Sequence, residues 1–264
     1  MSEIVFDQVS LGYPLYNQRS MSLRNQLLRV GTGGVLAGEA GKVQWVQALE
    51  KVSFRLQPGD AIGLVGHNGA GKSTLLRAMA GIYSPSHGRI RVRGRVSTVF
   101  DIGAGMDPEL SGYENIVRML LMTGLKRSQA KQQLPFIEEF TDLGDFLALP
   151  VRTYSSGMTM RLMFAVATAV QPEILLVDEM FAAGDQAFQI KAQARIRHLV
   201  ANSEIFVFAS HDFMTISALC KRVMQMNHGQ IEIVSLEEFD ARLKGLENQQ
   251  NEERRRQLAE NTKL

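Results

Sequence analysis

Residues 66 to 74 read Gly-His-Asn-Gly-Ala-Gly-Lys-Ser-Thr, with three glycines, one lysine and two hydroxyls. Gly66, Gly69 and Gly71 let backbone N–H groups turn inward around a polyphosphate, and a helix start behind them adds the positive end of its dipole. Lys72 can reach the β and γ oxygens of a nucleoside triphosphate, and the Ser73 hydroxyl is placed to ligate Mg²⁺. Phosphoryl transfer to water also needs a carboxylate for the metal and a group that activates the water. Ile174-Leu-Leu-Val-Asp178-Glu179 supplies both, Asp178 for the metal and Glu179 for the attacking water. A third stretch, Ile205-Phe-Val-Phe-Ala-Ser210, delivers His211 to where it can touch the γ-phosphate, with Asp212 beside it. Arg152-Thr-Tyr154-Ser155-Ser156-Gly157-Met158 opens a helical run from Met160 to Val170. Serine and glycine at a helix start make a second anion site.

The elements that must carry these residues follow from their neighbours. Ala61 to Val65 is an apolar run bounded by Pro58-Gly59 and Gly66, a buried strand, and Ser73 to Ala80 has helical spacing up to Gly81. Strand, glycine loop and helix are the context that a phosphate loop requires. Ile174–Val177 and Ile205–Ser210 read as two more core strands, the acids and the histidine at their C-terminal ends. Ile4 to Tyr13 alternates as an edge strand, and the next strand, Val46 to Leu56, follows an insertion over residues 14–44. Inside it, Ser20 to Val30 sets Leu23, Leu27 and Val30 on one helical face beside Arg24, and Gly31 to Gly41 is glycine-rich. Such a helix packs on its own domain, or touches a membrane partner or the lipid surface. Residues 101–112 read as a glycine-rich loop on the surface, ending in Pro108 to Gly112 and entering a helix near Tyr113. Residues 113–149 read as two or three helices broken at Gly124, Pro135 and Gly144. Leu236, Phe239, Leu243 and Leu246 fall at helical spacing before a polar tail from Glu247 to Leu264.

Composition narrows the class. With 264 residues and 45% apolar content, the chain can bury a full core. Lys plus Arg (29) nearly balance Asp plus Glu (27), so no global positive field argues for nucleic acid. The single cysteine, Cys220, excludes an intramolecular disulfide framework. No apolar run approaches the roughly 20 residues of a spanning helix, and Met-Ser-Glu-Ile-Val-Phe-Asp lacks the order of a secretion signal. The expectation is a cytosolic protein that reaches a membrane through a partner.

Taken in order along the chain, these motifs resemble the ATP-binding subunits of ABC transporters over roughly residues 1 to 235. The resemblance implies an α/β fold: a P-loop ATPase core with a mostly parallel sheet, an N-terminal antiparallel β subdomain and a helical subdomain inserted at about 106–170. It also implies a head-to-tail homodimer holding two ATP molecules, each between Gly66–Thr74 of one subunit and Ser155–Met158 of the other. The nucleotide residues it implies are Gly66, His67, Asn68, Gly69, Ala70, Gly71, Lys72, Ser73, Thr74, Ser155, Ser156, Gly157, Met158 and Asp185. An aromatic ring for adenine would be Trp45, with Tyr13 and Tyr16 as alternatives. Glu179 and His211 would be catalytic, and Ser73, Asp178 and Asp101 would face Mg²⁺.

Departures from the family pattern point to a branch. The usual Leu-Ser-Gly-Gly-Gln is here Tyr154-Ser155-Ser156-Gly157-Met158, and the usual Ser-Ala-Leu-Asp is Ala182-Ala183-Gly184-Asp185. Asp101 stands roughly where the family has a glutamine. Together with the Asp101-Ile-Gly-Ala-Gly-Met106 loop and Pro108 to Asn115, these are similar to the polysaccharide exporters. That branch implies ATP-driven export of a lipid-linked polymer, O-antigen first and capsule or teichoic acid as alternatives. Its subunits work with two copies of a transmembrane permease at the cytoplasmic face of the inner membrane. Residues 236–264 are expected to hold a helix and tail, with no room for a carbohydrate-binding domain.

Overall fold

The computed structural model describes residues 1–15, 44–100, 103, 105–178 and 185–245; of residues 14, 15, 44 and 45 it describes only the backbone. Two sheets organise the chain. In the first, β1 (Glu3–Leu15) lies between β2 (Gln44–Leu56) and β4 (His87–Arg93), all antiparallel. The second has the order β5-β6-β7-β3-β8-β9, built from β3 (Asp60–Val65), β5 (Val96–Val99), β6 (Ile174–Asp178), β7 (Ile205–Ala209), β8 (Arg222–Asn227) and β9 (Gln230–Ser235). It is parallel from β5 through β8 and closes with the antiparallel β8–β9 hairpin.

The first strand is a correction to the sequence reading, which puts it at an edge. It is the central strand, because Ile4, Phe6, Val9 and Leu11 are all buried while the edge is taken by β4. In β4 the exposed Arg89, Arg91 and Arg93 alternate with the half-buried Ile90 and Val92, a charge pattern suited to an edge. Bulges at Gln8 and Lys51, both in the left-handed region at φ 48° and 47°, interrupt the alternation of β1 and β2.

Helices cover the second sheet and build a lobe. They are α1 (Lys72–Met79), α2 (Gly112–Met122), α3 (Arg127–Gln132), α4 (Leu134–Thr141), α5 (Ser156–Thr168), α6 (Gln186–Ala201), α7 (Phe213–Leu219) and α8 (residues 236–245). Helix α5 starts one turn earlier than Met160, because the Ser155 side chain accepts from the Met158 N–H and caps it. Ser111 and Glu114 form a reciprocal capping box that starts α2. Pro135 opens α4 rather than breaking a helix, as expected of a residue with no N–H to donate. Helices α2 to α5 share a core of Ile116, Leu120, Ile137, Leu143, Leu162 and Ala165, separate from the cores on either side of the second sheet. Leu236, Phe239 and Leu243 of α8 pack into the core that holds Phe206 and Phe208 of β7; Leu246, the tail, and the Ser20–Val30 helix with most of the 14–44 insertion lie outside the described residues. No helix among the described residues is long and apolar enough to cross a membrane.

Burial makes Cys220 inert. It is 6% exposed, and burial pushes its thiol up to about 12. The native protein at about pH 8 is expected to leave Cys220 unlabelled by dithionitrobenzoate, with one thiol per chain reacting after unfolding. Rapid native labelling would show that the α7–β8 junction opens.

Candidate functional site

Strands β6, β7 and β3 are neighbours, and their ends align: Asp178 pairs with Ala209, and Ala209 with Leu64. The loops leaving these three strands therefore meet at one edge of the sheet, where parallel α/β folds bind ligands. Gly66 to Gly71 curls over β8, and a Cβ on Gly71 (φ 107°) would stand 2.6 Å from the Ala48 carbonyl oxygen. Only glycine fits there. Gly69, at φ 83°, has nothing within 4 Å of where its Cβ would be, so the crest of the loop faces open space. Because Gly71 is the α1 cap and offers no side chain, the first N–H groups of the helix remain for an anion.

The side chains converge on the same space. The Lys72 ammonium donates to the Gly66 and His67 carbonyl oxygens at 2.6 and 3.2 Å, and lies 3.4 Å from His211 Nε2. Ser73 Oγ donates to Asp178 Oδ2 at 3.0 Å. Two oxygen ligands side by side, one of them a carboxylate, fit a hard divalent cation. Asp212 N–H donates to Ser210 Oγ at 3.0 Å, and the Asp212 carboxylate caps α7, so His211 is held from both sides. Hydrogen bonding to Thr215 first, then to the Met214 and Thr215 N–H groups, holds the Asp212 carboxyl below its usual range. His67 is exposed with its ring 5.0 Å from that of His228, whereas Ala70 and Thr74 turn inward at 2% and 7% exposure. Asn68 is exposed beside them.

The second anion turn is elsewhere in the chain. Ser155, Gly157 and Met158 line a cavity of about 360 Å³ with Asp142, Leu143, Phe146, Arg161 and Asp185. Ser156 starts α5 and is exposed. Asp185 caps α6 by accepting from the Phe188 N–H at 2.9 Å and pairs with Arg161, and these contacts, the Phe188 N–H first, hold its carboxyl low. The structure thus gathers Gly66–Thr74, Asp178 and His211 at one place and leaves Ser155–Met158 with Asp185 at another. Glu179, Asp101, Tyr16 and the Ala182–Gly184 turn lie outside the described residues; Trp45 is placed only by its backbone, paired with Pro14, and Tyr13 is 41% exposed on β1. The motif reading missed Arg161. Its signal is that it is the single charge in the α5 sequence Ser-Gly-Met-Thr-Met-Arg-Leu-Met-Phe-Ala-Val-Ala-Thr.

The sequence profile of the family described as ABC transporter matches residues 49–182. The O-antigen export system ATP-binding protein RfbE of Yersinia enterocolitica is 62% identical over 231 residues, 88% of this chain and 97% of that one. The teichoic acids export ATP-binding protein TagH of Listeria innocua is 38% identical over 229 residues, 87% of this chain and 65% of that longer one. Among solved structures, a dimeric ATP-binding cassette in a post-hydrolysis state, bound to ADP and Pi, superposes with a TM-score of 0.64 at 17% identity, covering 88% of this chain and 98% of its own. At that identity the likeness establishes the fold.

Proposed function

The chain belongs to the ABC transporter family, and from that premise we propose that it is the ATP-hydrolysing subunit of an exporter of lipid-linked polysaccharide, with O-antigen as the cargo. What carries the hydrolytic part is the convergence of Lys72, Ser73, Asp178 and His211 on one crevice. The cargo rests on the 62% identity with an O-antigen export protein, against 38% for the teichoic-acid relative.

In this reading the loop N–H groups and Lys72 bind the β and γ phosphates, and the residues from His67 to Ala70 shape the loop around them. Ser73 and Asp178 would hold Mg²⁺, and Asp101 is the further candidate for that cation. When bound, that cation supplies neutralisation of the phosphate charge. Glu179 orients or deprotonates the attacking water, and His211 contacts the γ-phosphate. Trp45, or Tyr13 or Tyr16, stacks on adenine.

The turn Ser155–Met158 lines a cavity of its own with Asp185, and in this reading it serves the nucleotide of a second subunit. Asp185 stands beside that turn. ATP bridging both subunits then has differential affinity for the closed homodimer, and hydrolysis releases it. That cycle would drive two permease subunits at the cytoplasmic face of the inner membrane, with the polysaccharide contacted by the permease and no nucleic acid involved. Residues 1–235 form the nucleotide unit, with the lobe inserted at about 106–170.

The test is made in cells that export such a polymer. Replacement of the chain by its Lys72→Ala variant is expected to remove polymer from the surface and to accumulate lipid-linked polymer inside. Normal surface polysaccharide would overturn the cargo assignment.

A further inference from the structure

Two imidazoles stand together beside the phosphate loop. His67, the second residue of that loop, and His228, in the turn between β8 and β9, have ring centroids 5.0 Å apart with their planes tilted by 53°. Both side chains are exposed, so burial of apolar surface does not account for the pairing. His67 Nδ1 lies 2.9 Å from the Asn68 carbonyl oxygen, a contact that calls for the proton on Nδ1 and leaves the lone pair on Nε2. Metal-ligating histidines are set in the same way, one N–H given to a carbonyl and the other nitrogen left for the cation.

The backbone beneath each ring is fixed. Gly66, just before His67, lies so close to β8 that a Cβ there would stand 2.5 Å from the Met226 carbonyl oxygen. Gly229, just after His228, has φ 78°, and a Cβ there would stand 2.9 Å from the Ala48 carbonyl oxygen. Its own carbonyl oxygen accepts from the Glu50 N–H at 2.9 Å, and His228 is held at φ 45° in the left-handed region. The loop is thus packed on β8 and the hairpin tip on β2. Neither ring has to be brought from elsewhere to meet the other.

The spacing suits a particular class of ion. Zinc bonded to one nitrogen of each ring at about 2.0 to 2.1 Å, in tetrahedral geometry, places the two ring centres roughly 5 to 6 Å apart. Imidazole nitrogen suits zinc, copper and nickel, whereas Mg²⁺ takes oxygen ligands such as Ser73 and Asp178. The two cation chemistries are therefore separate, and water would complete the coordination at the histidines.

We infer that His67 and His228 bind a divalent cation of the zinc class, which ties the phosphate loop to the β8–β9 hairpin and restrains nucleotide turnover. The restraint rests on the ATPase reading above; the binding does not. Lys72 donates to the Gly66 and His67 carbonyl oxygens, so it follows any shift of the loop around a polyphosphate. A cation on the His67 ring removes that freedom.

Zinc alone is titrated into the purified full-length chain without nucleotide, against a chromophoric zinc indicator. The unaltered chain is expected to bind one zinc ion in the micromolar range, and His67→Gln and His228→Asn should each weaken binding by at least about tenfold. Asparagine accepts the left-handed backbone at 228, so the melting temperature should hold. His198→Gln, near the end of α6, is the control and should bind as the unaltered chain does. Saturating zinc in excess Mg²⁺ should then lower ATP turnover about tenfold in the unaltered chain and by no more than about twofold in His228→Asn. Millimolar affinity, or a His228→Asn variant that binds zinc as well as the unaltered chain, would overturn the site. Equal inhibition of the two chains would overturn the restraint. An unaltered chain that hydrolyses no ATP without zinc would instead overturn the ATPase reading and leave the binding result standing.

Discussion

Replacing Glu179 by glutamine is expected to cut ATP turnover by about 10³-fold, roughly 4 kcal/mol of transition-state stabilisation, while ATP affinity stays within about threefold. Glutamine keeps the size and an oxygen but cannot take a proton. Binding should survive because it draws on the loop N–H groups, on Lys72 and on Ser73, none of which the change touches. Since the γ-phosphate then persists, the closed dimer should outlive its normal lifetime and be seen by size-exclusion chromatography in ATP. Phosphate release at saturating ATP gives the rate. Turnover within about tenfold of the unaltered protein would remove Glu179 from the role of base.

The second large effect comes from the other anion turn. Gly157 is the second residue of α5, and a Cβ there would meet only Ser155 Oγ, at 3.9 Å. An aspartate therefore fits the isolated chain. It also removes a flexible glycine from a helix and places a negative charge at the helix N-terminus, each worth up to about 1 kcal/mol in favour of folding. The melting temperature of Gly157→Asp should hold or rise. Yet in the proposed homodimer that carboxylate would face the phosphates held by the opposing subunit, and turnover should fall by about 10²-fold with ATP binding to single chains intact. A stable variant that hydrolyses normally would mean that the turn never meets a nucleotide. The chain would then act as a self-contained phosphate-loop enzyme.

Local chemistry accounts for what the sequence revealed. The phosphate loop, the apolar strands ending in Asp178 and His211, and the Ser155 cap depend on residues within one turn or one strand of each other. Their spacing encodes them directly. The place of β1 at the centre of its sheet was not legible, because sheet order is decided by which distant strands pair, and the bulges at Gln8 and Lys51 blur the alternation. The β4 strand was overlooked for a related reason. Its arginines alternate with only two apolar residues, Ile90 and Val92, too short a signal beside glycine. Arg161 escaped because its partner, Asp185, is 24 residues away, and the short motif around each gives no hint of the other.

The sheet order also governs the sequence of events while the chain is being made. Residues 3 to 93 hold all three strands of the antiparallel sheet, so that layer can close as soon as they have emerged. Strand β3 cannot follow suit, for its two neighbours are β7, ending at Ala209, and β8, ending at Asn227. Throughout most of translation the apolar strand behind the phosphate loop stands without a hydrogen-bonded neighbour. ATP cannot help this chain fold early, and a product that stops short of β7 exposes a sticky strand edge that chaperones must cover.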